Sequence, residues 1–228
     1  MAQTPRIYLD TCALHRLMDD PNQMRVRMEA EAIELFFLHL LGGKVAWIAS
    51  TILEAEIRRN PDVQSREDAL SMLPFASEFH SASVKVADRA RFLNTLGYGE
   101  FDALHLAIAE DYKADLLLTT DDRFLRLAER GVGSPFIRVI NPHKICAGGE
   151  AMIALQEMTD EQFERHTLGL LQKELGPYGM ARFLRTYRSG TDDYTRDRHK
   201  WLDGATMDDI LKDIENLALQ KPTQAQQP

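Results

Sequence analysis

Four acidic side chains lie where a parallel α/β sheet could bring them together. Asp10 and Asp121 each follow a run of apolar residues with strand character. Asp102 lies in the first turns of a strongly apolar helical pattern, and Glu56 lies in a helical pattern after another strand-like run. Ligands of open parallel sheets bind just beyond the carboxyl ends of the strands. The spacing therefore predicts an acidic cluster of Asp10, Glu56, Asp102 and Asp121.

Such a cluster has a chemical use. Two carboxylates about 4 Å apart repel each other by roughly 4 kcal/mol at an effective dielectric constant of 20. Hard cations such as Mg²⁺ and Mn²⁺ prefer carboxylate oxygens, and they can activate water and stabilise charge during phosphodiester cleavage. The cluster thus predicts a catalytic cation site. Side chains expected to support it are Thr11, Thr119, Asp122 and Glu54.

Each acid also has a structural interpretation, which the sequence leaves open. An aspartate after a strand often caps a turn or a helix, as Asp10 or Asp121 could. Asp102 could pair with the helix dipole, and Glu56 could lie on a solvated helix face. Glu54 competes with Glu56 for the place of the second acid. His105, one turn after Asp102, could either pack within its helix or contact the acids.

The elements that must position these acids alternate between strands and helices. This alternation predicts parallel strands joined by helical crossovers, in a three-layer α/β/α domain with a parallel central sheet. The expected strands span 6–9, 44–49, 83–86, 115–120 and 137–140, and the expected helices span 23–41, 51–59, 65–79, 88–96, 100–113 and 122–130.

The pattern changes after Asn141-Pro142, where no further strand is convincing and an all-α C-terminal extension is expected. Its helices are predicted at about 159–175, 178–188 and 207–219. The predicted boundaries are an α/β domain over 1–145, a linker over 146–158, a helical segment over 159–220 and a disordered tail over 221–228.

Composition narrows the classes of function. The 228 residues carry 27 basic and 35 acidic side chains, a net charge of −8, which argues against a protein that coats nucleic acid through bulk positive charge. No apolar run approaches the roughly 18 residues of a membrane helix, so no membrane association is expected. The two cysteines, Cys12 and Cys146, form no disulfide framework, and a cytoplasmic protein is expected.

The fragments around the four acids resemble the PIN-domain family of metal-dependent ribonucleases, in particular the VapC-type toxins of bacterial toxin–antitoxin pairs. The similar pieces, which occur in the same order and span about residues 5–145, are 7–11, 50–57, 101–107 and 118–121. The resemblance implies a PIN-like nuclease domain whose acidic quartet is Asp10, Glu56, Asp102 and Asp121. It further implies Mg²⁺ or Mn²⁺ as cofactor, RNA as substrate and a possible homodimer.

The stretch from Arg182 to Lys200 carries six basic and three acidic residues, a net charge of +3 within an acidic chain. It resembles small proteins encoded beside PIN toxins and taken to be their antitoxins. That likeness predicts a nuclease restrained by its own C-terminal segment, either within one chain or exchanged with a neighbouring subunit. Antitoxins of this kind can place an arginine in the acidic pocket, and the candidates are Arg196 and Arg198.

Two other interpretations of this stretch stay open. It could be the contact surface of a non-catalytic nucleic-acid-binding or regulatory scaffold, with Tyr194 and Trp201 stacking beside arginines. It could also be a helical extension that only packs on the domain.

Overall fold

A five-stranded parallel sheet forms the centre of the computed structural model, which describes residues 4–146, 176–187, 193–202 and 204–220. The strand order is β3-β2-β1-β4-β5, and all neighbouring strands are parallel. The strands are β1 (Arg6–Leu9), β2 (Ala46–Ser50), β3 (Glu78–His80), β4 (Leu116–Leu118) and β5 (Arg138–Ile140). With helices on both faces of the sheet, the predicted α/β/α architecture is confirmed.

Helices connect the strands and continue after the last one. The helices of the α/β part are α1 (Thr11–His15), α2 (Met24–Leu41), α3 (Thr51–Arg58), α4 (Val63–Met72), α5 (Val84–Thr95), α6 (Glu100–Asp111), α7 (Asp122–Glu129) and α8 (His143–Cys146). Those that follow are α9 (Gly176–Tyr187), α10 (Tyr194–Asp197), α11 (His199–Leu202) and α12 (Met207–Gln220). Among the described residues, none of the helices is both long and apolar enough to cross a membrane.

Strand β1 lies at the centre of the sheet, where the strand order changes direction: β2 and β3 lie on one side of it, and β4 and β5 on the other. Tyr8 aligns with Ile48 of β2 on one side and with Leu117 of β4 on the other. The backbone N–H of Asp10 donates to the carbonyl of Leu118 at 3.1 Å, so the pairing continues past the end of β1. A crevice opens at such a reversal, beyond the carboxyl ends of the strands.

Alternating residues of the strands build two apolar layers. Ile7, Leu9 and Trp47 face α1 and α2 in what we call the first layer. Tyr8 and Ile48 face α5 and α6 in the second layer. Because side chains alternate along a strand, β1, β2 and β4 each contribute to both layers, which is why these three strands are nearly continuous apolar runs in the sequence.

The part of the chain after residue 175, which we call the C-terminal segment, is attached to both layers. Met180 and Ala181 of α9 are buried in the first layer, and Ile210 and Ile214 of α12 are buried in the second. Residues 193–202, the crossing stretch, therefore pass from one face of the sheet to the other. They pass over the carboxyl ends of the strands, where Arg198 contacts residues that follow β2 and β4.

The predicted strand over 83–86 is wrong, because these residues begin α5. The Ser83 hydroxyl accepts a hydrogen bond from the Val86 N–H at 3.2 Å and caps the helix, which outweighs the strand preference of the valines.

The predicted helix over 65–79 is also wrong in its second half. Helix α4 ends at Met72, a 3₁₀ turn containing Pro74 follows, and the edge strand β3 comes next. The predicted linker after residue 146, the helix over 159–175 and the tail fall outside the described residues, so the domain boundaries stay predictions.

We expect Ile210→Ala to loosen the C-terminal segment, because Ile210 is fully buried in the second layer. Truncating a buried isoleucine costs about 2–5 kcal/mol. Urea unfolding should show that loss, and limited proteolysis should cut the C-terminal segment faster. Lys212→Ala, two residues away on the exposed side of α12, is the matched control and should leave both unchanged. Equal behaviour of the two variants would contradict this packing.

Candidate active site

Asp10 and Asp121 both cap a helix and face the crevice. The Asp10 Oδ1 accepts a hydrogen bond from the Ala13 N–H at 2.8 Å, at the start of α1. Asp121 Oδ1 accepts from the N–H groups of Arg123 and Phe124 at the start of α7. Each carboxylate thus uses one oxygen for the helix and keeps the other for the site. The helix-capping role of these two residues is therefore compatible with a role in the predicted cation site.

Asp102 and Glu56 reach the same place from the helices α6 and α3. Asp102 lies in the first turn of α6, after Gly99, where a Cβ would lie 2.9 Å from an Asp102 carboxylate oxygen. A side chain at position 99 would therefore displace the acid. Glu56 is fully buried, and its Oε2 accepts from the Thr11 hydroxyl at 2.6 Å.

Arg198 of the crossing stretch lies among these carboxylates. Its Nη1 donates to Glu56 Oε1 at 2.9 Å, and its Nη2 donates to Asp102 Oδ1 at 2.6 Å and to Asp121 Oδ2 at 2.9 Å. The Arg198 side chain is only 4% exposed. The structure therefore brings three of the predicted acids onto one buried cation supplied by the chain itself.

A chain of hydrogen bonds orients Glu56 from behind. His105 Nε2 lies 2.7 Å from Glu56 Oε2, and His105 Nδ1 lies 2.7 Å from the hydroxyl of Tyr8. The Tyr8 hydroxyl lies 2.7 Å from the Ser50 hydroxyl. Because an ionised Glu56 can only accept, His105 Nε2 donates the hydrogen bond to it. His105 thus contacts the acids as well as packing in α6.

Burial and charge separate the pKa values of the acids. Burial raises the pKa of Asp10 to about 7, against the opposing charges of His105 and Arg198. Burial likewise raises the pKa of Asp102. Burial acts on Glu56 in the same direction, but the Arg198 charge and the hydrogen bonds from His105 and Thr11 outweigh it and lower the pKa to about 2.

Burial disfavours the charge of Arg198, but the negative groups around it raise its pKa well above the usual value. Arg198 therefore stays charged at every pH at which the protein is folded, and it neutralises part of the negative charge of the cluster.

The other predicted site residues lie at varying distances from the cluster. Thr119 accepts a hydrogen bond from the Asp121 N–H at 3.0 Å and orders the loop after β4. Asp122 is half exposed and pairs with Arg25, and Glu54 pairs with Arg58. Arg196 pairs with Asp197 on the surface, so of the two candidate arginines Arg198 is the one that reaches the acids.

The cluster fits a divalent cation in its chemistry. Its donors are carboxylate oxygens, the kind that Mg²⁺ and Mn²⁺ prefer. Asp10 Oδ2 is buried without a hydrogen-bond partner, and a guanidinium lies where positive charge is needed. As they stand, no three acidic, histidine or cysteine side chains of the described residues converge on one metal-binding point. The three carboxylates point instead at the nitrogens of Arg198.

Two aromatic contacts at this site were missing from the sequence-based predictions. The Tyr194 ring stacks on the His15 ring with 3.9 Å between centroids, and the Tyr194 hydroxyl donates to Glu56 Oε1 at 3.3 Å. Tyr194 precedes Arg198 by four residues, a helical spacing that places both side chains on one face. That spacing was the available signal for Tyr194, whereas nothing in the sequence marks His15.

Comparison with known proteins gives one match. The model of a protein family described as PIN domain matches residues 7–130, more than half of the chain, from β1 to just past α7. All four acids of the cluster fall within this range. No curated protein and no solved structure matches the chain.

Asp10 should make the protein less stable as the pH rises. The folded carboxyl keeps its proton up to about pH 7, whereas the unfolded one loses it near pH 3.8. Between these values folding binds a proton, so the free energy of unfolding falls with pH by up to about 1.4 kcal/mol per unit. Urea unfolding without divalent cations should therefore show Asp10→Asn gaining stability over wild type from pH 5 to pH 8.

Asp122→Asn is the control for this measurement. The hydrogen bond that Arg25 donates to Asp122 lowers the pKa of this carboxyl. The stability contributed by Asp122 is therefore lost only in acid and should be constant above pH 5. A constant difference between Asp10→Asn and wild type over the same range would contradict the shift at Asp10.

Proposed function

This chain belongs to the PIN-domain family, and from that premise we propose that it is a metal-dependent endoribonuclease of the VapC toxin type, held inactive by its own C-terminal segment. PIN domains are generally metal-dependent nucleases that act on nucleic acid. The observation that carries the proposal is the hydrogen bonding of Arg198 to Glu56, Asp102 and Asp121.

Asp10, Glu56, Asp102 and Asp121 are the residues that would hold Mg²⁺ or Mn²⁺. When bound, such an ion supplies a Lewis acid for the scissile phosphate and lowers the pKa of a coordinated water. The family typically uses divalent metals such as Mg²⁺. The carboxylate set, the unpartnered Asp10 Oδ2 and the arginine among the acids support this assignment.

The chain's own groups hold these acids in place for the reaction. Thr11 and His105 fix the Oε2 side of Glu56, and Tyr8 fixes His105. The helix-capping bonds of Asp10 and Asp121 fix one oxygen of each. Preorganised carboxylates need no rearrangement when charge develops at the phosphate.

Arg198 and a divalent cation compete for the same oxygens. The guanidinium uses Glu56 Oε1, Asp102 Oδ1 and Asp121 Oδ2, each of which is a prospective metal ligand. Because the segment belongs to the same chain, its effective concentration at the site is of millimolar order. In the closed form, in which Arg198 bonds the acids, binding of cations and RNA is therefore disfavoured without a separate inhibitor protein.

The alternative, a nucleic-acid-binding scaffold, would need its arginines and aromatic rings on the surface. Arg198 and Tyr194 are instead buried against the acidic cluster, which favours the restrained nuclease. An antitoxin origin of the segment, its exchange between subunits, a homodimer and a cytoplasmic location stay predictions.

We expect Arg198→Ala to activate the full-length chain. With Mn²⁺ and a structured RNA labelled at its 5′ end, internal cleavage should rise at least about tenfold over wild type, since roughly 1.4 kcal/mol of lost restraint has that effect. Arg196→Ala, two residues away and exposed, is the matched control and should behave like wild type.

The double variant Arg198→Ala with Asp10→Asn separates the protein's activity from that of a contaminant. It should cut no RNA, and it should relieve the growth arrest that Arg198→Ala is expected to cause in cells. Absence of cleavage by Arg198→Ala in both Mg²⁺ and Mn²⁺ would overturn the proposed nuclease. Equal cleavage by wild type and Arg198→Ala would overturn the proposed restraint.

Divalent cations should stabilise Arg198→Ala more than wild type. A ligand at 100 times its dissociation constant stabilises the folded state by about 2.7 kcal/mol, and in wild type Arg198 must first be displaced. Thermal unfolding with increasing Mn²⁺ should therefore raise the Tm of Arg198→Ala strongly and that of wild type weakly. Adding Asp102→Asn to Arg198→Ala should remove the effect. An equal rise in all three proteins would contradict a metal site at these acids.

A further inference from the structure

We propose that one ring face of His15 is a nucleobase-binding site for the RNA substrate, and that Tyr194 occupies this site in the closed chain. The inference deepens the proposed nuclease function and rests on it. It assigns a role to a fully buried residue that neither the cation site nor the Arg198 contact uses.

The contact between His15 and Tyr194 has the geometry of a base stack. The ring centroids lie 3.9 Å apart and the planes differ by 17°. Proteins that read single-stranded RNA bind unstacked bases on aromatic side chains, histidine included. A flat ring bound face to face on His15 is therefore the shape that this surface accepts.

His15 also has an unmade hydrogen bond. Its Nδ1 lies 3.2 Å from the Ser65 hydroxyl, whereas its Nε2 is buried without a partner among the described residues. Burial lowers the pKa of His15 to about 3, so the ring is neutral and suits stacking. Buried polar atoms are nearly always hydrogen-bonded. The Tyr194 phenol covers the ring face but leaves this nitrogen, whose hydrogen bond would lie in the ring plane, unsatisfied.

The stack leads directly into the acidic cluster. The hydroxyl of Tyr194 donates to Glu56 Oε1, the oxygen that Arg198 also uses. A base in place of the Tyr194 ring would thus lie about as close to Glu56, a prospective metal ligand, as the phenol ring does. That separation suits a nucleotide at the cleaved phosphate.

The residue before Tyr194 supplies an anion. Asp193 Oδ1 accepts a hydrogen bond from Arg16 Nη1 at 2.9 Å, and Arg16 also bonds Asp19 and Glu29. A nucleotide likewise carries a negative phosphate next to its base. Asp193 and Tyr194 thus resemble a nucleotide, because they place a negative charge beside a flat ring. The Arg198 cation lies one helical turn further along the chain.

There is room beside the stack for more than a ring. A cavity of about 330 Å³ adjoins Tyr194 and is lined by Met18, Asn60, Ser65 and Trp201 among others. This volume lies within the range of small-molecule sites. Tyr194 and Trp201 of the crossing stretch form part of this lining, so removing the Tyr194 ring alone joins its space to the cavity on one side of His15.

The test uses the full-length chain with EDTA, so that binding is measured without cleavage. Adenosine 5′-monophosphate is titrated against wild type and against Tyr194→Ala and followed by calorimetry. We expect Tyr194→Ala to bind at least about tenfold more tightly than wild type, in line with the contribution of one stacked base. Adding His15→Ala should abolish the gain, and adding His15→Phe should preserve it, because phenylalanine keeps the ring face.

A second histidine–tyrosine stack provides the matched control. His80 and Tyr112 stack with 3.7 Å between centroids and an angle of 13°. Tyr112→Ala should gain no nucleotide affinity, since the hydrogen bonds of this pair go to Ser81 and Glu78 and not to an acid of the cluster. Ribose 5-phosphate should bind Tyr194→Ala at least about tenfold more weakly than the nucleotide, because it lacks the base.

Several results would overturn the inference. Among them are no gain in Tyr194→Ala, an equal gain in Tyr112→Ala, a gain that survives His15→Ala, and equal binding of ribose 5-phosphate. If Tyr194→Ala does not fold, Arg198→Ala, which releases the same stretch, takes its place in the titration. Cleavage by Arg198→Ala without nucleotide binding would overturn this site alone, and binding without cleavage would overturn the proposed nuclease.

Discussion

The structure depends on balancing the charge of carboxylates that are gathered out of contact with water. Glu56, Asp102 and Asp121 are all at most 5% exposed. Such a group is unfavourable unless a cation joins it or protons are taken up. Both occur here, since Arg198 provides the cation and Asp10 is left with a raised pKa. The site is therefore built for a positive charge, and the closed chain provides one.

Hydrophobic burial determines where that positive charge can go. Helix α9 is held in the first apolar layer and α12 in the second, so the stretch between them has to cross the carboxyl edge of the sheet. The apolar contacts bring the crossing stretch to the site, and the hydrogen bonds of Arg198 and Tyr194 then fix its position over the acids. Neither set of contacts alone accounts for the arrangement, because burying the guanidinium carries a desolvation cost that its ion pairs have to offset.

The sequence predicted the elements whose signals are local. Apolar runs marked β1 and β4, and the acids that follow them are indeed at the crevice. The edge strand β3 was missed because three half-exposed residues carry little apolar pattern, and its place in the sheet is decided by pairing with β2. The sequence could not decide between Arg196 and Arg198. In a helix, side chains two residues apart point to different faces, but the local helix had to be known before the face toward the acids could be identified. The stack on His15 joins residues 179 positions apart, which no local pattern reveals.

Because Arg198 and the acidic cluster belong to the same chain, every molecule that carries the cluster also carries its arginine. A complex of two separate proteins dissociates on dilution and is disturbed whenever one partner is made in excess or degraded first. Under the proposed restraint within one chain, the fraction of closed molecules would be the same at any expression level and in any volume. What can change it is a ligand that binds the open form better than the closed form, or a cut in the chain between the two parts. A nuclease restrained in this way would not be controlled by the relative abundance of two proteins.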